Sequence, residues 1–140
     1  MSATNAKPRV ALIGTGGTIS SIATDSLDVL DYPDASRKAQ PAEIIGRTPE
    51  LARFADVVPI NFREVGSTAI GPADWLELVQ LIHQMEAQNG GFDGYVILHG
   101  TATLEETAYL LRSPVNALRL LSAAKTLGSG KALAPENPKR

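Results

Sequence analysis

Two threonines, Thr15 and Thr18, stand among three glycines in the stretch Gly14–Ile19. The stretch follows the apolar run Val10–Ile13, which predicts a glycine-rich loop at the end of a short buried strand. Glycine has no Cβ, so such a loop can turn sharply and bring its backbone close to a small ligand. Its hydroxyls and backbone N–H groups are then candidates for chemistry.

This loop has two alternative interpretations, a nucleotide-binding loop of either common type and a tight turn without function. A dinucleotide-binding loop is disfavoured, because the G-x-G-x-x-G pattern would need glycine at Ile19. A phosphate-binding P-loop is disfavoured too, since no Lys-Ser or Lys-Thr pair follows. A tight turn without function is the alternative that this stretch alone leaves open.

A second stretch, Val96–Thr107, repeats the same pattern of apolar strand, turn glycine, threonine and helix start. Thr103 and Glu106 fit a capping box, which predicts that a helix begins there and that Thr101 lies just before it. If the two strands are parallel neighbours in one sheet, both threonine loops face one crevice at its carboxyl edge.

These stretches resemble a known family. Thr15–Ile19 and His99–Ala108 are similar to the two signature motifs of the bacterial-type L-asparaginase and glutaminase family. Asp28–Pro33 and Gly66–Ser67 resemble its flexible loop and its substrate-binding serine. The similarity runs from residue 10 to residue 111, so the chain is identified as a truncated N-terminal domain of that family.

The resemblance implies an amidohydrolase that converts L-asparagine and water to L-aspartate and ammonia. Thr18 matches the nucleophile and Thr101 the second catalytic threonine. Tyr32 would orient the catalytic threonine or close the site, although a tyrosine that packs the loop against the surface is an equal alternative. No cofactor and no metal ion are implied.

The substrate, an amino-acid amide such as asparagine or glutamine, is expected to contact Ser67, Gly17, Gly66, Gly100 and Ala102. By resemblance Ser67 binds the α-carboxylate of the substrate. Its local sequence alone is equally typical of a turn serine. The N–H groups around Gly17 and Ala102 are candidate donors to a developing oxyanion.

The chain also departs from the family pattern. Ala102 stands where the family usually has an aspartate that holds the α-ammonium group of the substrate. The segment Arg112–Arg119 resembles a helix found later in the family, so an internal strand is expected to be missing. Neither Lys131 nor Lys139 near the C-terminus matches the catalytic lysine of the family. We therefore expect little or no turnover.

Composition narrows the class of protein. The 140 residues are 44% apolar and 20% charged, which is ordinary for one soluble domain. The absence of cysteine excludes disulfides and thiolate chemistry. A net charge of −2 without a basic cluster argues against nucleic acid as partner. No apolar run predicts a membrane span or a signal peptide, so the cytoplasm is the expected compartment.

Alternating strands and helices predict an α/β fold, a three-layer Rossmann-like parallel sheet with helices on both faces. The expected organisation is a loose leader over 1–8, the domain over 9–127 and a frayed tail over 128–140. Within the domain, 20–40 is predicted to be a flexible active-site loop.

The predicted strands cover Arg9–Ile13, Asp56–Val65 and Tyr95–Leu98. Short helical turns are expected over Pro41–Phe54. The clearest helix begins at Pro72, and its apolar residues repeat at helical spacing: Trp75, Leu78, Val79, Ile82 and Met85. Ser113 and Pro114 are predicted to begin a further amphipathic helix.

Three strands leave the sheet incomplete relative to the family, with an unpaired edge. Homo-oligomerisation or aggregation through that edge is the physical expectation. Three hypotheses stay open: a working amidohydrolase, an inactive fragment that still holds an amino acid, and a small α/β interaction module.

The two histidines give no metal pattern. His83 is expected to be a surface or partly buried polar group on the helix. His99, at a strand end, either positions the threonine loop through hydrogen bonds or has a simple structural role.

Overall fold

The structure is a computed structural model that describes residues 6–25, 27, 37–88, 90–112 and 115. Its strands are β1 (Arg9–Gly16), β2 (Ser21–Ile22), β3 (Arg37–Lys38), β4 (Asp56–Val65) and β5 (Gly94–Leu98). Its α-helices are α1 (Pro41–Gly46), α2 (Pro72–Glu86) and α3 (Leu104–Leu111). Single 3-10 turns cover Thr18–Ser20, Pro49–Arg53, Ser67–Ala69 and Thr101–Thr103. No helix in these ranges is both long and apolar enough to cross a membrane.

Within the described residues, the main sheet has three parallel strands in the order β4-β1-β5. β1 is central, and its Ile13 lies opposite Ile60 of β4 and Ile97 of β5. Because all three strands run in the same direction, the turns that follow them lie at one edge of the sheet. The predicted α/β fold with a parallel sheet is confirmed, and the sheet is incomplete as expected.

Helices pack on both faces of this sheet. Ala11 and Ile13 of β1 are fully buried and form the core with residues of α2 such as Leu78. Gly14 points to the opposite face, where a Cβ would lie 2.6 Å from the Cγ of Pro41, the first residue of α1. A side chain at position 14 would therefore push α1 away from the sheet. Burial on both faces explains why β1 reads as a continuous apolar run.

The strand predictions agree closely with the structure. The predicted strand Asp56–Val65 has the bounds of β4. β5 begins at Gly94, one residue before the prediction. β1 continues beyond Ile13 to Gly16, because pairing with β4 extends into the glycine-rich stretch.

Helix α2 begins at Pro72 as predicted. The carboxylate of Asp74 accepts a hydrogen bond from the Gly71 backbone N–H at 3.0 Å and one from Arg63 Nε at 2.8 Å. Burial tends to raise the pKa of Asp74, but the Gly71 N–H and the Arg63 guanidinium outweigh it and lower that pKa. These contacts tie the start of α2 to β4, which carries Arg63.

The apolar stripe of α2 is largely the predicted one. Leu78, Val79 and Met85 are buried. Trp75, expected in the core, is only partly buried, because its indole lies between α2 and α3 and donates a hydrogen bond to Thr107 Oγ1 at 2.8 Å. A tryptophan N–H needs such a partner when it leaves water.

Strands β4 and β5 are the outer strands of the described sheet. Pro59 lies in β4, where its lack of an N–H suits an edge position. Val96 of β5 is 48% exposed, which is high for a valine in a sheet of this kind. Association through this edge stays a prediction.

Several predictions fall outside the described residues. These are the position of Tyr32, most of the loop 20–40, the helix predicted from Ser113 and the tail 128–140. The predicted domain bounds stay expectations for the same reason.

Replacing Leu78 with alanine tests the core. Leu78 is 1% exposed, so Leu78→Ala should lower the free energy of unfolding by about 2–5 kcal/mol through lost burial and a new cavity. Urea unfolding measures the change. Leu27→Ala is the control, since Leu27 is 85% exposed and its truncation should change stability by less than about 0.5 kcal/mol. Equal losses in both variants would contradict this core.

Candidate active site

The turn after β1 depends on two glycines with positive φ, Gly16 at +92° and Gly17 at +76°. The Gly17 N–H donates to the carbonyl of Val65 at 2.7 Å, which extends the pairing of β1 with β4 into the turn. A Cβ on Gly17 would lie 2.6 Å from the Cα of Gly100. The loops after β1 and β5 can therefore meet only because this position has no side chain.

The two threonines of this turn have different surroundings. Thr15 is 1% exposed, and its hydroxyl donates to the Leu98 carbonyl at 2.9 Å. It joins the ends of β1 and β5 and is removed from solvent. Thr18 is exposed, and its hydroxyl makes no hydrogen bond with any described residue. Of the two, Thr18 is the one whose hydroxyl a ligand can reach.

The turn after β4 brings Gly66 and Ser67 to the same edge. Gly66 is exposed, and a Cβ there would meet nothing within 4 Å. Ser67 is half-buried and begins a 3-10 turn. A Cβ on Gly100 would lie 2.9 Å from the Cα of Ser67, so the turns after β4 and β5 are also in backbone contact.

The turn after β5 carries a buried Gly100 followed by exposed Thr101 and Ala102. These residues enter the 3-10 turn that precedes α3. As for Thr18, no described residue forms a hydrogen bond with the hydroxyl of Thr101. The sheet thus brings Thr18, Ser67 and Thr101 to one edge, as the sequence predicts.

The predicted capping box at the start of α3 is wrong in its hydrogen bonds, although the helix begins at the expected place. Thr103 precedes Leu104 as the N-cap residue but makes no side-chain cap. Its hydroxyl donates instead to the Ser67 carbonyl at 2.9 Å. A contact with a residue remote in sequence has replaced the local cap.

Beneath the β5 turn lies a network that the sequence did not reveal. The hydroxyl of Thr107 lies 2.8 Å from Nε2 of His99, 2.8 Å from Nε1 of Trp75 and 3.0 Å from the Thr103 carbonyl. His99 and Thr107 are both buried. The i, i+4 spacing of Thr103 and Thr107 could have indicated one bond of this network, because a helical threonine can donate to the carbonyl four residues back.

The ends of the loop 20–40 return to the glycine-rich turn. β2 and β3 pair in antiparallel fashion, with Ser21 opposite Lys38. Lys38 Nζ donates to Ser21 Oγ at 2.8 Å, and that hydroxyl lies 3.4 Å from the Gly17 carbonyl. The pairing places a cation near the β1 turn. Sequence reasoning missed it, because only the pairing of these two short strands brings Lys38 back to the site.

A charged pair holds the chain where it enters α1. Arg37 of β3 makes two hydrogen bonds to the Glu43 carboxylate, at 2.7 and 3.0 Å, and the Gln40 N–H donates to the same group at 3.0 Å. The Arg37 guanidinium and the Gln40 N–H lower the pKa of Glu43 to about 2.

Neither histidine belongs to a metal site in the part of the chain that the structure describes, where no cluster of potential ligands occurs. His83 is exposed on α2 and lies 3.3 Å from Glu86, which fits the predicted surface role. The polar groups that the described residues bring to this edge are hydroxyls, backbone N–H groups and the nearby Lys38 ammonium.

A family model described as the N-terminal domain of asparaginase matches residues 9–120. The chain belongs to the asparaginase family. This agrees with the resemblance of its two threonine motifs.

Relatives with asparaginase names extend the comparison. The chain is 30% identical over 131 residues to probable L-asparaginase 1 of Schizosaccharomyces pombe. This aligned region covers 94% of this chain and 36% of that protein. It is 34% identical over 102 residues to a glutaminase-asparaginase of Pseudomonas fluorescens, covering 73% and 27%. It therefore spans about a third of the length of these asparaginases.

Solved structures show the same likeness. A probable cytoplasmic L-asparaginase from Campylobacter jejuni superposes with a TM-score of 0.64 at 32% sequence identity, over 75% of this chain and 30% of that one. A relative from Haemophilus influenzae is called periplasmic. The compartment of this asparaginase-family chain therefore stays a prediction.

The backbone contact between the asparaginase motifs can be tested at Gly17. Gly17→Ala forces a Cβ against Gly100 at a positive φ, so we expect the free energy of unfolding to fall by about 2 kcal/mol or more. Urea unfolding gives the value. Gly46→Ala is the matched control, because a Cβ at this helical position meets nothing within 4 Å and should leave stability unchanged or raise it by up to about 1 kcal/mol. A Gly17→Ala protein as stable as the control would show that the two turns do not touch.

The electrostatics of the Arg37–Glu43 pair can be tested by carboxyl titration. The pKa of Glu43 is lowered from 4.5 to about 2 in the folded chain, so its favourable contribution is present above pH 4.5 and is lost as the pH falls towards 2. Arg37→Gln should move the pKa of Glu43 back towards 4.5. Carbon-detected NMR titration of the Glu43 carboxyl measures its pKa in the unaltered chain and in Arg37→Gln. An unchanged midpoint in the variant would refute the assignment to Arg37.

Proposed function

We propose that this chain forms the nucleophile-bearing part of an L-asparaginase-type amidohydrolase site, with Thr18 as the nucleophile. The observation that carries the proposal is the contact of the three strand-end turns through Gly17, Gly100 and Ser67. Thr18 and Thr101 directly follow Gly17 and Gly100 in the chain, and both threonines are exposed. The substrate class is an amino-acid amide, either asparagine or glutamine, because the relatives carry those names.

In the proposed reaction, the Thr18 hydroxyl oxygen attacks the side-chain amide carbon of the substrate. The hydroxyl proton passes to the amide nitrogen, the C–N bond breaks and ammonia leaves. Water then hydrolyses the threonine ester to release aspartate and restore the hydroxyl. A threonine hydroxyl needs a base and oxyanion donors for this step. We assign the donors to the N–H groups around Gly17 and Ala102.

Thr101 is proposed as the second catalytic threonine and Ser67 as the group that binds the substrate α-carboxylate. Gly66 and Gly100 form the backbone walls beside them. The role of Tyr32 in orienting the nucleophile or closing the site belongs to the same proposal. No cofactor takes part in it.

Ala102 limits the substrate binding and the turnover that we propose for this chain. It is exposed in the turn after β5, where the resemblance implies a carboxylate that holds the substrate α-ammonium group. A methyl group makes no such contact, and a charge-assisted hydrogen bond of that kind contributes about 1.5–3 kcal/mol. We therefore propose weak binding of the amino acid and little or no turnover by this chain.

Restoring the carboxylate tests both parts of the proposal. Ala102→Asp should tighten L-asparagine binding by about tenfold or more relative to Ala102→Asn, which has nearly the same shape without the charge. Calorimetry or NMR titration measures the affinity, and ammonia release measures turnover, with Thr18→Ala as the blank.

Each part of the proposal has an outcome that would contradict it. Ammonia release by the unaltered chain that disappears in Thr18→Ala would support Thr18 as the nucleophile but contradict the expected lack of turnover, and release that persists in Thr18→Ala would contradict Thr18 as the nucleophile. Equal affinity of the Ala102→Asp and Ala102→Asn proteins would show that residue 102 does not face the α-ammonium group.

A further inference from the structure

A chain of hydrogen bonds leads from helix α2 to the peptide bond before Thr101. Its members are Trp75 of α2, Thr107 of α3 and His99 at the end of β5. It ends at the Gly100 carbonyl, which lies 2.7 Å from Nδ1 of His99. Thr107 is 3% exposed and His99 is 6% exposed, so water does not compete strongly for these groups.

The direction of each bond follows from counting protons. The indole Nε1 of Trp75 can only donate, so Thr107 Oγ1 accepts from it. The carbonyl of Gly100 can only accept, so Nδ1 of His99 carries a proton and donates to it. In the neutral imidazole Nε2 is then the acceptor, and the Thr107 hydroxyl donates to it. All donors point from Trp75 towards Gly100.

A second proton on the imidazole changes only the middle of this chain. Nε2 would then donate to Thr107, whose hydroxyl has the Thr103 carbonyl as an alternative acceptor at 3.0 Å. In either state Nδ1 donates to the Gly100 carbonyl. The anchor on the β5 turn is thus independent of the charge on His99.

The carbonyl that receives this bond belongs to the peptide unit that joins Gly100 to Thr101. Accepting a hydrogen bond polarises a peptide unit and makes its N–H a stronger donor, and bonds in a chain strengthen one another. Gly100 is also fixed by its backbone contacts with Gly17 and Ser67. The orientation of the Thr101 N–H therefore depends both on these backbone contacts and on the group that bonds to this carbonyl.

We propose that Trp75, Thr107 and His99 are positioning residues that fix the Gly100–Thr101 peptide, and with it Thr101, for binding of the amino-acid amide. The inference rests on the proposed function for its role in binding, and on the hydrogen-bond chain alone for its role in placing the turn. The three residues act through the peptide and do not themselves contact the substrate.

The discriminating variants are Thr107→Val, which keeps the shape and removes the hydroxyl, and Thr107→Ser, which keeps the hydroxyl and removes a methyl group. In Thr107→Val the amide resonance of Thr101 should move upfield in ¹H–¹⁵N NMR spectra, because His99 Nε2 loses its donor and the bond from His99 Nδ1 to the Gly100 carbonyl weakens. L-asparagine binding should weaken about fivefold, the factor that corresponds to one neutral hydrogen bond. Thr107→Ser should restore both.

An unchanged Thr101 amide in Thr107→Val, or equal changes in Thr107→Val and Thr107→Ser, would overturn the proposal. An unchanged amide would show that the Thr107 hydroxyl does not act on the β5 turn. Equal changes in the two variants would show that Thr107 acts through packing and not through its hydroxyl. Should Thr107→Val fail to fold, Trp75→Phe removes only the first donor and should shift the Thr101 amide in the same direction by a smaller amount.

The two proposals fail in distinguishable ways. If the unaltered chain does not bind L-asparagine, but the Thr101 amide responds to Thr107→Val and recovers in Thr107→Ser, the amidohydrolase proposal fails and the positioning role stands. If L-asparagine binds equally well to the unaltered chain and to Thr107→Val, the positioning role in binding fails and the amidohydrolase proposal is unaffected.

Discussion

Close backbone contact between the turns that follow the three parallel strands is the constraint on which the rest of the structure depends. A Cβ on Gly17 would clash with Gly100, and a Cβ on Gly100 would clash with Ser67 of the third turn. Side chains would hold these turns apart by the width of at least a methyl group. Their absence lets three loops form a single edge, to which N–H groups and hydroxyls of all three contribute.

Threonine has two separate uses around this edge. The hydroxyls of Thr15, Thr103 and Thr107 are committed to Leu98, Ser67 and the His99 network. They join β1 to β5, the β5 turn to the β4 turn, and α3 to the end of β5. The hydroxyls of Thr18 and Thr101 face solvent. Three hydroxyls that bond within the protein thus surround two exposed hydroxyls, an arrangement that fits the proposed site, where the geometry has to be set before the ligand binds.

The sheet that supports this edge is only part of the family's architecture. Its described portion has three parallel strands, and the chain spans about a third of the length of the asparaginases it matches. Outer strands expose backbone groups that a neighbouring strand would normally pair. The edge that carries Thr18 and Thr101 is formed by the contacts of Gly17 with Gly100 and of Gly100 with Ser67, so three strands are enough to form it. Among the described residues, Lys38 brings a positive charge near the β1 turn.

The sequence by itself determined the local elements and the family. Its apolar runs and glycines located β1, β4 and β5, and Pro72 with its apolar stripe located α2, because these signals arise within a few residues of chain. It also indicated that Thr18, Ser67 and Thr101 follow three strand ends. Only the tertiary structure decided which hydroxyls are buried, that Thr103 bonds to Ser67 and not within its own helix, and that Trp75, Thr107 and His99 share one network. Those contacts join residues that are far apart along the chain, and their partners are chosen by the packing of α2 and α3 on the sheet, which local patterns do not encode.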